Sequence, residues 1–196
     1  MVRSEDVIGF FDRLAPGWDA GLVRNEDVIS MILDNAQVTE GTDVLDVACG
    51  TGVLIPDYLR RGASSVTAID ISPRMAEIAR EKFSLPNVTV LCGDAEKMEL
   101  DRQFDCIVVY NAFPHFADQE GLIRHLVPML KPGGTLTVAH GMSREKVNAH
   151  HKGTSSSVSQ GLITADELAG IFRKYTEVTA VISDVKMYQV AGKVLK

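Results

Sequence analysis

The chain alternates short apolar runs with amphipathic stretches of helical period. The apolar runs predict β-strands at residues 44–47, 65–70, 88–92, 104–110, 135–140, 177–182 and 186–194. Between most of these runs, apolar residues recur three and four positions apart, which predicts helices. Repeated succession of a strand, a helix and a strand is typical of an α/β fold with a parallel sheet.

Capping residues mark where several of the helices begin. Residues 4–14 carry an apolar stripe behind Ser4, which we predict as the N-cap. Ser72 and Pro73 predict the start of another helix. Proline suits the first helical position, because the N–H that it lacks would have no partner within the helix there. Thr164 and Glu167 have the spacing of a capping box. Further helices are predicted at 26–37, 53–61 and 143–152, and the Ser-rich stretch 153–157 is predicted to be a mobile loop.

The first predicted strand runs directly into a glycine-rich turn. Gly50 and Gly52 lack a Cβ atom, so this turn brings the backbone close to a ligand. A dinucleotide site needs a third small residue three positions beyond the second glycine, where this chain has Ile55. Asp46, within the strand, repels a phosphate and suits a ligand that carries an ammonium group. The turn therefore predicts a cofactor that is cationic at this point.

Two more carboxylates follow at strand ends. Asp70 ends the second strand, at the position where an acidic residue accepts hydrogen bonds from ribose hydroxyls. Asp94 follows the third strand in Gly93-Asp94-Ala95. Together with Asp46, these residues fit a nucleoside that has an amino-acid tail.

Five segments in this order and spacing resemble those of class I S-adenosylmethionine-dependent methyltransferases. They are Val44–Gly52 (VLDVACGTG), Ala68–Ser72 (AIDIS), Gly93–Ala95 (GDA), Phe104–Val109 (FDCIVV) and Leu130–Leu136 (LKPGGTL). The resemblance runs from Phe10 to the C-terminus. Residues 11–19 (FDRLAPGWD) also resemble the entry segment of ubiquinone and menaquinone biosynthesis methyltransferases. The resemblance to class I methyltransferases implies a Rossmann-like, mostly parallel sheet of seven strands with helices on both faces and an antiparallel last strand.

The resemblance also implies roles for individual residues and S-adenosyl-L-methionine as the cofactor. Gly50 and Gly52 would cradle its methionyl part, and Asp46 would hold the ammonium group. Asp70 would bind the ribose. The adenine would contact Ile71, Asp94 and Ala95. The segment that begins at Asn111 follows strand four and should line the same site. Trp18 would lie near the methionyl end or the substrate, although packing of a helix against the core explains it equally well.

The composition and the net charge of the chain limit the kinds of partner that it is expected to bind. The chain has 196 residues, predicting a single domain with an N-terminal helical lid over residues 1–40 and a Rossmann-like core over 41–196. A net charge of −6 without a basic cluster disfavours nucleic acid. No signal peptide and no membrane-spanning run is evident. The three cysteines, Cys49, Cys92 and Cys106, suit reduced, buried thiols, which predicts a cytoplasmic location.

Histidines supply the candidate catalytic chemistry. Methyl transfer needs mainly placement of the acceptor, and a base only if the acceptor is protonated. His115, beyond strand four, is the candidate base, unless it simply packs between Phe113 and Phe116. His140 ends strand five on the same side, and His150 and His151 follow. Their spacing does not suit a metal site, so none is predicted.

We therefore expect methyl transfer by in-line displacement to a small organic molecule that is planar or apolar. Trp18, Phe113 and His140 are the candidate substrate contacts, with Phe116 beside them. Three alternatives remain. They are a protein or tRNA methyltransferase, an adenosylmethionine-binding module without turnover, and a nicotinamide oxidoreductase. Ile55 and Asp46 argue against the oxidoreductase.

Overall fold

A computed structural model describes residues 2–154 and 157–195. Within these residues, seven strands form one sheet: β1 Asp43–Val47, β2 Ser65–Asp70, β3 Val88–Cys92, β4 Phe104–Tyr110, β5 Leu130–His140, β6 Glu177–Ser183 and β7 Tyr188–Lys193. The helices are α1 Ser4–Leu14, α2 Glu26–Asn35, α3 Ile55–Arg60, α4 Pro73–Lys82, α5 Gln119–Leu126, α6 Arg144–Thr154 and α7 Ala165–Phe172. Short 3₁₀ turns cover Ala15–Gly17, Asp19–Gly21, Phe113–His115 and Val127–Met129.

The strands lie in the order β3-β2-β1-β4-β5-β7-β6. β1 to β5 pair in parallel, whereas β7 is antiparallel to both of its neighbours. This arrangement confirms the predicted α/β class and the antiparallel last strand. β1 lies in the middle of the parallel part, between β2 and β4, so the glycine turn that follows it starts at the centre of one sheet edge.

Helices cover both faces of the sheet because successive strand residues point to opposite sides. Val44 packs in a buried cluster with residues of α2, α3 and α4. Its neighbour Leu45 packs in a second cluster with residues of α5 and α7. In the part of the chain that the structure describes, no helix is long and apolar enough to cross a membrane.

Several details differ from the sequence-based predictions, beyond shifts of a few residues at the ends of α2, β5 and β7. Ser4 is the first residue of α1 rather than its cap, and its hydroxyl lies 3.5 Å from Asp94 Oδ2. α3 begins at Ile55 instead of residue 53, because the chain is still turning out of the glycine loop. Cys92 is exposed instead of buried, since β3 is an edge strand. Residues 153 and 154 end α6, while 155 and 156 of the predicted mobile loop lie outside the described residues.

Candidate cofactor and acceptor site

A cavity of about 1070 Å³ opens where the central parallel strands end. α1 and the 3₁₀ turns after it form one wall, and the carboxyl ends of β1, β2, β4 and β5 contribute the other. The predicted site residues that line it are Trp18, Asp46, Gly50, Asp70, Ile71, Asp94, Ala95, Asn111, His115 and His140. This location follows the rule that ligands of open α/β sheets bind beyond the carboxyl ends of the strands.

Two of the predicted site residues, Gly52 and Phe113, do not line this cavity. Gly52 has a φ of +83°, and a Cβ atom there would lie 2.6 Å from Cε2 of Phe83. The missing side chain at Gly52 therefore serves the turn and the packing of Phe83. Phe113, predicted as a substrate contact, is fully buried in the cluster beneath α5 and α7.

Asp46 is a buried carboxylate that is not fully paired. Its Oδ2 atom has no hydrogen-bond partner among the described residues. Burial raises the pKa of Asp46 to about 7, and the charge of Asp70 contributes, while the nearby Tyr58 hydroxyl lowers it in part. The Tyr58 hydroxyl likewise has no hydrogen-bond partner among the residues that the structure describes. An ammonium group arriving from the cavity would supply the missing opposite charge.

The raised pKa of Asp46 makes stability depend on pH. The neutral carboxyl stabilises the fold below about pH 4, and this contribution is lost as the pH rises towards the folded pKa of about 7. Asparagine cannot ionise. We therefore expect Asp46→Asn to increase the free energy of unfolding of the ligand-free protein by on the order of 2–4 kcal/mol at pH 8 and hardly at all at pH 4. Urea unfolding at the two pH values checks this, and equal destabilisation at both would contradict it.

Asp70 holds the glycine turn against the end of β2. Its Oδ2 accepts a hydrogen bond from the Gly50 N–H at 2.8 Å, and its Oδ1 accepts one from the Ser72 N–H at 2.8 Å. Burial raises the pKa of Asp70 to about 6, against the effect of these two hydrogen bonds. Each carboxylate oxygen has a further lone pair available for a ligand in the cavity.

Asp94 lies where the sequence resemblance predicts the adenine to bind, and local hydrogen bonds hold its carboxylate in place. Its Oδ1 accepts from the Glu96 N–H at 3.0 Å, and its Oδ2 accepts from Lys97 Nζ at 2.7 Å. Ile71 and Ala95 line the cavity beside it.

Two carboxylates tie the N-terminal segment over the site. Asp12 Oδ1 accepts hydrogen bonds from the Ser72 hydroxyl at 2.5 Å and from the Arg74 N–H at 3.2 Å. Asp19 Oδ1 accepts from the Thr51 hydroxyl at 2.5 Å, and Asp19 Oδ2 pairs with Lys82 Nζ at 2.8 Å. The 3₁₀ turn that contains Asp19 is therefore anchored to the glycine turn itself.

The end of the cavity beside the last residues of β4 and β5 is lined by imidazoles. His115 Nδ1 lies 2.7 Å from the carbonyl oxygen of Val158. Because a carbonyl only accepts, this contact places the proton on Nδ1 and leaves the Nε2 lone pair free. Burial lowers the pKa of His115, and the hydrogen bond to Val158 opposes this only in part. The ring is therefore neutral at physiological pH.

Two neighbouring histidines are neutral as well. Burial, followed by the charges of His115 and His151, lowers the pKa of His140 to about 3. Its Nε2 atom is buried without a partner among the described residues. His151 has its pKa lowered to about 4 by burial and by the charges of His115 and His150, and its Nδ1 lies 2.8 Å from the Ser159 hydroxyl.

Several residues of the cavity wall were not predicted as site residues. They include Phe10, Phe11, Tyr110, Met142 and His151. The Phe11 ring contacts Trp18 and His115 edge-on, with centroid distances of 5.8 Å and 5.0 Å. Phe10 and Phe11 belong to the apolar stripe that predicts the helix over residues 4–14. That stripe faces the ligand cavity as well as the core, and helical periodicity does not distinguish the two.

The histidines do not form a metal centre in the residues described. Across 2–154 and 157–195, no group of three or more His, Cys, Asp or Glu side chains is arranged to hold a metal ion. His115 and His151 instead pack ring against ring, with centroids 4.9 Å apart.

Comparison with known proteins identifies the family. A family model described as a methyltransferase domain matches residues 44–134. A malonyl-[acyl-carrier protein] O-methyltransferase of Acetivibrio thermocellus is 36% identical over 139 residues, which are 69% of this chain and 49% of that relative. Residues 44–134 are therefore a methyltransferase domain, and the resemblance to class I S-adenosylmethionine-dependent methyltransferases is confirmed. Its cofactor is S-adenosylmethionine, as the sequence resemblance implied.

Further comparisons agree with this methyltransferase assignment. A demethylmenaquinone methyltransferase of Tropheryma whipplei is 34% identical over 146 residues, 69% of this chain and 59% of that relative. The methyltransferase chain thus spans about half the length of the first curated relative and somewhat more of the second. A chain from the solved complex of the Haloferax volcanii Trm112 methyltransferase activator with a methyltransferase has a TM-score of 0.81, with 22% identity and full coverage of both chains. That likeness shows a shared fold.

Proposed function

We propose that the chain transfers the methyl group of S-adenosylmethionine to a small organic acceptor. The observation that carries the proposal is a single cavity with two chemically different ends. One end presents Asp46, Asp70 and Asp94, and the other presents neutral imidazoles and aromatic rings. The names of the relatives, which include a demethylmenaquinone methyltransferase and a malonyl-[acyl-carrier protein] O-methyltransferase, support an acceptor that is a small molecule or a small acyl group.

Residues of the two ends have separate tasks in this proposal. S-adenosylmethionine supplies a methyl group already activated on sulfur, so catalysis depends mainly on holding the acceptor in line with it. Asp46 pairs with the ammonium group, Asp70 holds the ribose, and Gly50, Ile71, Asp94, Ala95 and Asn111 line the remaining cofactor surface. When the acceptor loses a proton on methylation, His115 Nε2 receives it. His140 Nε2, buried without a partner among the described residues, donates to or accepts from the acceptor.

Product formation tests the proposal directly. The purified protein is incubated with S-adenosylmethionine and panels of phenols, enols, carboxylic acids, amines and thiols, and release of S-adenosylhomocysteine is measured. We expect turnover with at least one panel. A rise in melting temperature with S-adenosylhomocysteine but not with NAD is also expected, because only a ligand that binds the folded state stabilises it.

The rival functions predict other outcomes in the same experiment. Binding without turnover in every panel favours an adenosylmethionine-binding module. Turnover only with tRNA or protein fractions favours a macromolecular substrate. Stabilisation by NAD alone would overturn the cofactor assignment.

We extend the proposal to the N-terminal segment and the location of the protein. Residues 1–40 act as a helical lid on a core formed by residues 41–196, which the contacts of Asp12 and Asp19 with the core support. A cytoplasmic location is supported by the cysteines, which are free thiols at Cys49, Cys92 and Cys106.

A further inference from the structure

We infer that Trp18 binds the carboxylate of the cofactor's methionyl tail through its indole N–H, and is not a contact of the methyl acceptor. This inference rests on the proposed function and assigns a partner to one end of the cofactor. S-adenosylmethionine ends in an ammonium group and a carboxylate. Asp46 can neutralise the first, but the second requires a hydrogen-bond donor.

The indole N–H is the buried donor at this place. Trp18 Nε1 is buried and has no hydrogen-bond partner among residues 2–154 and 157–195. It lies 3.7 Å from the position that a Cβ atom on Gly50 would occupy. The indole therefore faces the bare turn along which the methionyl tail is expected to run. A buried donor without a partner is costly, so a ligand acceptor at this point is favoured.

The ring is fixed in place before any ligand binds. The next residue, Asp19, accepts a hydrogen bond from the Thr51 hydroxyl in the glycine turn and pairs with Lys82. Phe11 packs edge-on against the indole. These contacts hold the N–H over the turn, so little conformational entropy is lost when it binds the ligand.

Phe11 is the residue that links Trp18 to His115. The Phe11 ring contacts both of them edge-on, with centroid distances of 5.8 Å to Trp18 and 5.0 Å to His115. The sequence alone gave equal weight to two places for Trp18, one near the methionyl end or the substrate and the other in the packing of a helix against the core. The position of Nε1 beside Gly50 favours the methionyl tail.

Arg13 is the rival donor because it also lines the cavity. Its side chain is exposed and folds back along α1, with Nη1 3.6 Å from the place of a Cβ atom on Gly9. An exposed guanidinium gains little from pairing with a carboxylate, since water competes for both groups. Arg13→Gln is therefore the matched control for Trp18.

A ligand that lacks only the carboxylate provides the test. Calorimetry compares S-adenosylhomocysteine with its decarboxylated analogue, which keeps the ammonium group, in wild type, Trp18→Phe and Arg13→Gln. We expect Trp18→Phe to raise the Kd of S-adenosylhomocysteine about tenfold, because it removes one hydrogen bond to a charged group. The same substitution should change the Kd of the analogue by less than roughly twofold, and Arg13→Gln should change either Kd by less than roughly twofold.

Three results would overturn the inference while leaving the proposed function intact. Equal weakening of both ligands by Trp18→Phe would mean that the indole only packs. A loss confined to the acceptor KM would return Trp18 to the acceptor site. A selective loss in Arg13→Gln alone would assign the carboxylate to Arg13. Failure of the wild type to bind S-adenosylhomocysteine at all would instead contradict the proposed function.

A second measurement needs no variant. Trp18 is the single tryptophan of the chain, so the intrinsic tryptophan fluorescence reports on this ring alone. We expect saturating S-adenosylhomocysteine to shift the emission of the wild type and the decarboxylated analogue to shift it clearly less. Identical spectra with the two ligands would contradict the inference even if Trp18→Phe fails to fold.

Discussion

Replacement of Asp70 by alanine is expected to raise the Kd for S-adenosylhomocysteine roughly a thousandfold, because two charge-assisted hydrogen bonds to the ribose hydroxyls are lost. The same carboxylate accepts hydrogen bonds from the N–H groups of Gly50 and Ser72. Its removal therefore also loosens the turn that cradles the methionyl tail. Calorimetric titration of the variant measures the combined loss.

Two controls separate ribose binding from support of the turn. Asp70→Asn keeps an oxygen that can accept one of the two N–H groups, so its Kd should lie between those of wild type and Asp70→Ala. A ligand without ribose hydroxyls should discriminate much less between wild type and Asp70→Asn. Asp101→Asn, an exposed carboxylate outside the cavity, should leave the Kd unchanged. Wild-type affinity in Asp70→Ala would remove Asp70 from the cofactor site.

Replacement of His115 by asparagine is expected to lower kcat about a hundredfold for a protonated acceptor found in the screen, while S-adenosylhomocysteine still binds. The asparagine amide can take the place of Nδ1 and donate to the Val158 carbonyl, so the local structure is kept. No atom remains at the position of Nε2, where the proton is received. Steady-state kinetics together with calorimetry measure the two effects separately.

His115→Gln is the complementary variant. Its amide reaches towards the position of Nε2 but cannot act as a base, and it gives up the contact with Val158. We expect low kcat in both variants and a lower melting temperature in His115→Gln alone. Full turnover in His115→Asn would mean that His115 only packs against its neighbours.

The pH profile gives an independent check on the base. With S-adenosylmethionine saturating, so that the bound cofactor keeps Asp46 and Asp70 ionised, wild-type kcat/KM for the acceptor should stay level through neutral pH and fall only at acidic pH, because burial lowers the pKa of His115. The residual activity of His115→Asn should lack this acidic limb. An unchanged limb in the variant would assign it to another group, such as Asp46 or Asp70.

Local sequence signals predicted the parallel part of the sheet well. Apolar runs such as 104–110 match β4 as observed, and Ser72 caps α4 through its hydroxyl as predicted. These features depend on period and on residue type at a turn, which neighbouring residues determine. The bounds of α3 and β5 were less well predicted, because α3 begins only after the glycine loop and β5 begins at Leu130, so that it includes the Lys131–Gly134 stretch that reads as a turn.

The sequence by itself determined the class of the fold and the order of the cofactor motifs, because both follow from local patterns: the alternation of strands and helices, and carboxylates at strand ends. Only the tertiary structure decided which of these residues meet. Contacts between distant segments placed Trp18 Nε1 beside Gly50, paired His115 with Val158 and brought His140 and His151 near it. Packing also moved Phe113 into the core and Gly52 out of the cavity. Which atoms are left without partners depends on the packing of the whole chain, and no local pattern in the sequence records it.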